Sequence, residues 1–356
     1  MNVTHTQDAC AQFLERAGWG GAKLRPLAGD ASTRSYMRAE HNRRHAVLMI
    51  APPKAESAPC PPDASDAERR ALGYNAMARL AGPNLNAFIA IAEALRSAGL
   101  SAPEVFAADA ANGFALIEDL GDGLYARAAN ATNEAELYSS ALDALVMLRQ
   151  NPPKRPAHDN YAMASYDAMA LCTEANLLIE WYWPLKKSAP APESLQAEYR
   201  EIFQNLASAL SPPHQIVLRD YHAENLLWLP QRKAAARTGV IDFQDGLYGH
   251  AAYDVVSLLE DARRDVSPAL AAAVIDHYAH AADIDQAAFI NDYAILAAQR
   301  NAKILGIFAR LARRDNKPHY LDFLPRVEAH FRNDLKREGM APLRDFITAH
   351  LPELAP

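Results

Sequence analysis

IVLRDYHAENLLWLPQRKAAARTGVIDFQDG, residues 216–246, decides how the whole chain is read. Two short apolar runs, Ile216-Val217-Leu218 and Val240-Ile241, are each long enough for a buried strand, and each leads into an aspartate, Asp220 and Asp242. Leu226-Leu227-Trp228-Leu229 reads as a further strand that turns back through residues 230–238 to pair with Val240-Ile241. That hairpin brings Asp242 beside Asn225. The turn before it presents Asp220, His222 and Asn225.

Two acids and an amide, five and seventeen residues apart, suit a site for magnesium. Magnesium is a hard cation that takes carboxylate and amide oxygens and shares its shell with water and substrate phosphates. Phosphoryl transfer leaves a protein little covalent work. It must position the nucleophile, neutralise the polyphosphate and keep one carboxylate ready for the hydroxyl proton. Asp220 is the candidate base, with Asn225 and Asp242 on the metal. His222 is either the polar anchor of the loop or a direct contact to phosphate or substrate. Against this stands an ordinary hairpin with solvated turn acids, which a single Asp-x-x-x-x-Asn would favour and the joint pattern does not.

The order Asp220-x-x-x-x-Asn225 followed by Ile241-Asp242-Phe243 resembles the catalytic and metal loops of the aminoglycoside phosphotransferase family, which has the protein-kinase-like fold. Arg219-Asp220-Tyr221-His222, Gly239 to Asp245 and Tyr253-Asp254-Val255-Val256-Ser257 are similar to the branch containing the anomeric N-acetylmuramate/N-acetylglucosamine kinases of cell-wall recycling. The resemblance implies an α+β protein of two lobes. A small antiparallel-sheet N-lobe over residues 1–121 would bind nucleotide, and a mostly helical C-lobe over 122–356 would carry catalysis and substrate. It implies ATP and Mg2+, and an acceptor hydroxyl on an amino sugar. Other acceptors of the same fold (aminoglycoside, choline, homoserine) and a non-catalytic nucleotide-binding protein are the competing readings.

The resemblance also assigns positions. Gly29-Asp30-Ala31-Ser32 would form the nucleotide loop, where small residues let backbone N–H groups approach phosphate. The backbone of Glu118, Asp119 and Leu120 would meet the adenine edge. Glu174 with Trp181 and Tyr182 offers a sugar an acid and two rings, although a Trp-Tyr pair on a helix also suits a core. Arg219 and Asp245 fall on the substrate side, and Asp254 would steady the backbone of the catalytic loop. Arg300 and Lys303, three apart on one helix, could face a lactyl carboxylate, or stand exposed or paired with acids such as Asp292.

Two departures from the pattern stand out. Kinases of this fold usually carry a lysine on the third strand, but this chain has Met49-Ile50-Ala51 there, which leaves Lys54, Arg34 and Arg38 as replacements. The family's histidine two before the catalytic aspartate is here Leu218.

Composition sets the outer limits. At 356 residues the chain has room for two lobes, and its mix of 50% apolar and 22% charged residues is that of a globular protein. A net charge of -7 argues against nucleic acid or an anionic membrane as the main partner. Cys10, Cys60 and Cys172 are widely spaced, which suits a reducing compartment and no structural zinc. The N-terminus lacks an apolar leader and no stretch approaches 18 apolar residues, so a cytoplasmic location is expected.

Periodicity predicts helices over 6–18, 65–80, 85–98, 134–150, 168–183, 193–210, 251–263, 269–282, 286–314 and 318–336. Strands are predicted over 24–27, 35–40, 45–51 and 114–121. The Pro- and Ala-rich segment 54–84 reads as an inert surface loop or an insertion near the nucleotide mouth.

Overall fold

The computed structural model describes residues 3–27, 34–52, 60–130 and 132–356, with backbone only for 3–7. Five strands, β1 (Lys23–Pro26), β2 (Ser35–His41), β3 (Arg44–Ile50), β4 (Val105–Asp109) and β5 (Phe114–Ile117), form one antiparallel sheet in the order β1-β2-β3-β5-β4. Strand side chains alternate between faces, and here the alternation divides them between two cores. Val47, Met49, Ala115 and Ile117 face the helix Leu85–Ser97, while Ala46, Leu48, Phe114 and Leu116 pack with Phe13 and Leu14 of the helix Val3–Arg16. The sheet is therefore covered on both sides, and β3 carries a continuous buried run.

The strand expected over 114–121 ends at Ile117. The helix expected over 65–80 is two short ones, Asp66–Leu72 and Tyr74–Met77, parted by Gly73 at φ 92. The first is started by a capping box between Ser65 and Glu68. This segment is no inert loop: Arg69 is 1% exposed, bonds Asp167 at 2.6 Å and donates to the carbonyls of Ala76 and Met77. It thereby straps the sheet side of the chain to the helical side.

The helical part begins with Tyr125–Ala128 and Glu134–Gln150, followed by a two-residue hairpin, β6 (Ala157–His158) with β7 (Tyr161–Ala162). Two further short antiparallel pairs hold the central stretch. β8 (Gln215–Val217) pairs with β11 (Leu247–Gly249), and β9 (Leu226–Trp228) with β10 (Thr238–Val240) in the hairpin expected from the sequence. The long helix Gln286–Arg313 runs through the middle of this part and packs on the helices Ala168–Ala175, Ala252–Leu259 and Leu324–Asp334.

The helix expected over 168–183 is interrupted by a widened π-type turn, Leu178–Tyr182, before continuing as Trp183–Lys187. At its edge the long helix comes backbone to backbone with it: a Cβ on Gly306 would lie 2.2 Å from the carbonyl carbon of Leu177. Glycine is the residue that permits this approach. A second core, with Tyr182, Trp183, Tyr199, Phe308 and Phe331, fills the far side of the helical part.

Candidate active site

Asp220 follows β8 after a left-handed residue, Arg219 at φ 70. That uncommon conformation is held from below. The buried Asp254 carboxylate accepts the amides of Leu218 at 2.8 Å and Arg219 at 2.9 Å, and the Ser257 hydroxyl donates to the Arg219 carbonyl. Asp254 thus has the backbone-steadying place expected of it. Burial lifts its carboxyl to about 7, against the two amides, which draw it down.

The loop then closes on itself. Asn225 donates from Nδ2 to the Asp220 carbonyl at 3.0 Å, and the Asp220 carbonyl also accepts the His222 amide. Leu218, where the family has histidine, is 1% exposed and supports the loop by packing. The Ala223 amide donates to the buried Asp261 carboxylate, a support with no sequence signal because its partner lies 38 residues on.

Asp242 arrives from the neighbouring strand. The Ile241 amide donates to the Asn225 carbonyl at 3.0 Å, so the two loops are stitched at one candidate metal ligand, Asn225, and one residue before the other, Asp242. Asp242 has φ 58, its Oδ1 accepts from Gln244 at 2.9 Å, and Arg34 Nη2 lies 3.3 Å from the same oxygen. Phe243 stacks on Phe88 with ring centroids 4.9 Å apart, which ties this loop to the helix Leu85–Ser97. Asp220, His222, Asn225 and Asp242 are thus on two turns joined by direct hydrogen bonds.

Electrostatics separates the groups. Burial alone would raise the Asp220 carboxyl, but the charges of Lys303, Arg219 and Arg300 outweigh it and hold Asp220 below the usual carboxylate range. Burial lowers His222 despite the pull of Asp261 and Asp220, so the ring is held toward its neutral form. Its Nε2 is 3.5 Å from Asn225 Nδ2 and its Nδ1 is buried without a hydrogen-bond partner.

Several expected substrate contacts lie elsewhere. Glu174 is 0% exposed, receives Arg219 and Tyr166, and has Lys303 Nζ at 3.0 Å. It neutralises buried cations and presents no oxygen to a sugar. Arg219 is likewise enclosed: it also donates to the Asp245 carbonyl and lies over the Tyr166 ring. Tyr182 is in the second core, its hydroxyl donating to Glu328 at 2.6 Å, and Trp181 packs half-buried against that core. The π-type turn carries both rings out of register with Glu174. Arg300 and Lys303 are 3% and 8% exposed rather than surface charges. Arg300 donates to the Glu260 carbonyl, while Asp292 accepts from Ser211 instead. Asp245 is half-buried, and its Oδ1 accepts the Ala81 amide at 2.7 Å.

On the sheet side, the Glu118 amide donates to the Glu104 carbonyl, so Glu118 keeps only its carbonyl for an adenine edge. Its carboxylate takes Arg232 and Arg96. Asp119 accepts Arg38 Nε at 2.6 Å and the Gly121 amide, which fixes the connection around Leu120. Gly29, Asp30, Ala31 and Ser32 lie outside the described residues.

The sequence pattern of the phosphotransferase enzyme family matches residues 23–290. The chain belongs to this family. It is 44% identical to the N-acetylmuramate/N-acetylglucosamine kinase of Caulobacter vibrioides, with 99% of both chains covered. A kinase of the same description from Pseudomonas putida is 31% identical over 92% of this chain and 89% of its own.

Solved phosphotransferase structures share the fold. A ternary complex of aminoglycoside phosphotransferase APH(4)-Ia with AMP-PNP and hygromycin B superposes with a TM-score of 0.58 at 12% identity, covering 92% of this chain and 100% of that one. The gentamicin complex of APH(2")-IIa gives 0.56 at 13%, covering 96% and 98%. The two-lobe α+β architecture expected from the resemblance is the one observed.

Proposed function

We propose that this phosphotransferase is an ATP-dependent kinase that phosphorylates the anomeric hydroxyl of N-acetylmuramate and N-acetylglucosamine. What carries the reading is the stitch between the Ile241 amide and the Asn225 carbonyl, which sets Asp220, Asn225 and Asp242 on adjoining turns in a chain 44% identical throughout to a kinase of that description.

The residues suit a magnesium ion. Asn225 spends its amide nitrogen on the Asp220 carbonyl, which leaves its oxygen as the atom to face a cation, and Asp242 adds a carboxylate. Two such ligands make no cage by themselves, which accords with a hard cation completed by phosphate oxygens and water. When bound, magnesium neutralises charge on the β- and γ-phosphates. Asp220 accepts the hydroxyl proton as the acceptor oxygen attacks. The ring oxygen makes an anomeric hydroxyl more acidic than a simple alcohol, so even a carboxylate held below its usual range is an adequate base. His222 orients the loop.

We place the division between the nucleotide lobe and the catalytic lobe at residues 121 and 122, just past the Arg38–Asp119 pair. Among the described residues no helix is long and apolar enough to cross a membrane. Dependence on ATP and three free cysteines suit the cytoplasm, and the net charge of -7 argues against nucleic acid as a partner.

A coupled ADP-release assay across N-acetylmuramate, N-acetylglucosamine, kanamycin and choline tests the reading, with phosphorus NMR of the product. The expected result is turnover of both amino sugars and a phosphorus signal coupled to the anomeric proton. Preference for kanamycin or choline, or phosphate on another hydroxyl, would overturn it.

A further inference from the structure

The third strand has no lysine, and the structure explains how the sheet manages without one. Met49 is 1% exposed and belongs to the core shared with the helix Leu85–Ser97. That helix buries Phe88, Ile91, Ala92 and Leu95, and its acid, Glu93, is exposed. The ion pair that other kinases of this fold place between strand and helix is here an apolar contact.

A cation enters the same cleft from the next strand. Ser35 is in register with Ile50, so Arg34, one residue earlier, stands across from Ala51. Arg34, Met49, Ala51, Phe88 and Gln244 line one small cleft between the sheet and the Asp242 loop. Arg34 Nη2 is 3.3 Å from Asp242 Oδ1, and only 12% of the Arg34 side chain is exposed. The other described candidate is engaged elsewhere: Arg38 is bound to Asp119 at 2.6 Å and Asp122 at 2.9 Å. Lys54 lies outside the described residues.

We propose that Arg34 replaces the strand lysine and holds the polyphosphate of the nucleotide next to the Asp242 metal site. The assignment rests on the kinase reading above. Its chemistry is favourable, because a guanidinium is charged at every working pH and its fork matches phosphate oxygens in pairs. Its place next to Asp242 also matters: one side chain meets both the metal-binding carboxylate and the anionic ligand of that metal.

Calorimetric titration with adenosine, AMP and Mg-ADP, using wild type, Arg34→Met and Arg34→Lys, tests this without turnover. Loss of one charge-assisted contact should weaken Mg-ADP binding by about ten- to a hundredfold in Arg34→Met, leave adenosine unchanged, and be partly restored in Arg34→Lys. On the unmodified protein, Mg-ADP but not adenosine should protect Arg34 from phenylglyoxal, mapped by mass spectrometry. Mg-ADP affinity of Arg34→Met within twofold of wild type, or no protection of Arg34, overturns the assignment and leaves the kinase reading standing. A wild-type protein that fails to bind Mg-ADP overturns the kinase reading, and the assignment with it.

Discussion

Arg219 and Glu174 form an ion pair in the interior, with 1% and 0% of their side chains exposed. Lys303 shares the carboxylate, so one acid balances two buried cations, one of which, Arg219, directly precedes the candidate base in the chain. Removing one partner of a buried pair leaves an uncompensated charge. Glu174→Ala should therefore cost about 3–5 kcal/mol of stability, read from urea unfolding. The double variant Glu174→Leu, Arg219→Met should regain part of it. A raised KM for sugar at unchanged stability would instead make Glu174 a substrate contact.

Asp220→Asn preserves shape and removes the base. Turnover should fall by about two to four powers of ten, while calorimetric nucleotide affinity stays close to wild type. A variant of near wild-type rate would take Asp220 out of the reaction.

Lys303 is the largest of the charges that depress the Asp220 carboxyl against burial. With the lysine present, Asp220 is ionised throughout the neutral range. Replacing it by methionine removes a positive charge and raises the Asp220 pKa. The acid limb of kcat/KM should accordingly move to higher pH in Lys303→Met, whereas a purely structural lysine would lower the rate at every pH alike.

Asp254 gives a stability signature of its own. Its carboxyl stands at about 7 in the folded chain, above the ordinary value of 3.8, chiefly through burial. A raised folded value means that the folded state binds the proton more tightly. The associated stability is fully present below about pH 3.8 and is lost as pH rises through about 7. In Asp254→Asn that slope should disappear. Urea midpoints of the two proteins, compared from pH 4.5 to 8, read the difference, and parallel curves would refute the assignment.

The loops of the site were legible because short-range patterns carry them. Apolar runs that lead into Asp220 and Asp242 predict strands, and a hairpin between Leu226 and Val240 leaves Asn225 and Asp242 little choice of neighbour. Most helix spans were legible for the same reason, but the chain breaks at Gly73 and at the Leu178–Tyr182 turn. The helix expected over 251–263 stops at Leu259, the one expected over 318–336 opens with the tighter turn Pro318–Phe323, and the helix Ala341–His350 was not anticipated. What was not legible is the placing of charge. Arg69 meets Asp167 across 98 residues, Arg219 meets Glu174 across 45 and Asn301 meets Asp334 across 33. No periodicity announces such partners, so buried cations read as surface ones. Glu174, Trp181 and Tyr182 looked like a sugar platform because a regular helix was assumed, and a single widened turn separates them.

Gly306 sets the spacing between two crossing helices, where even a methyl group would have to pass through the Leu177 backbone. Lys303 stands one turn before Gly306, and Glu174 one turn before Leu177. The bare hydrogen at this crossing therefore acts as a gauge for the distance between an ammonium and its counter-ion, and through them for the charge felt at Asp220. Thickening the seam by one carbon would detune the base from a position packed on the Leu177 backbone.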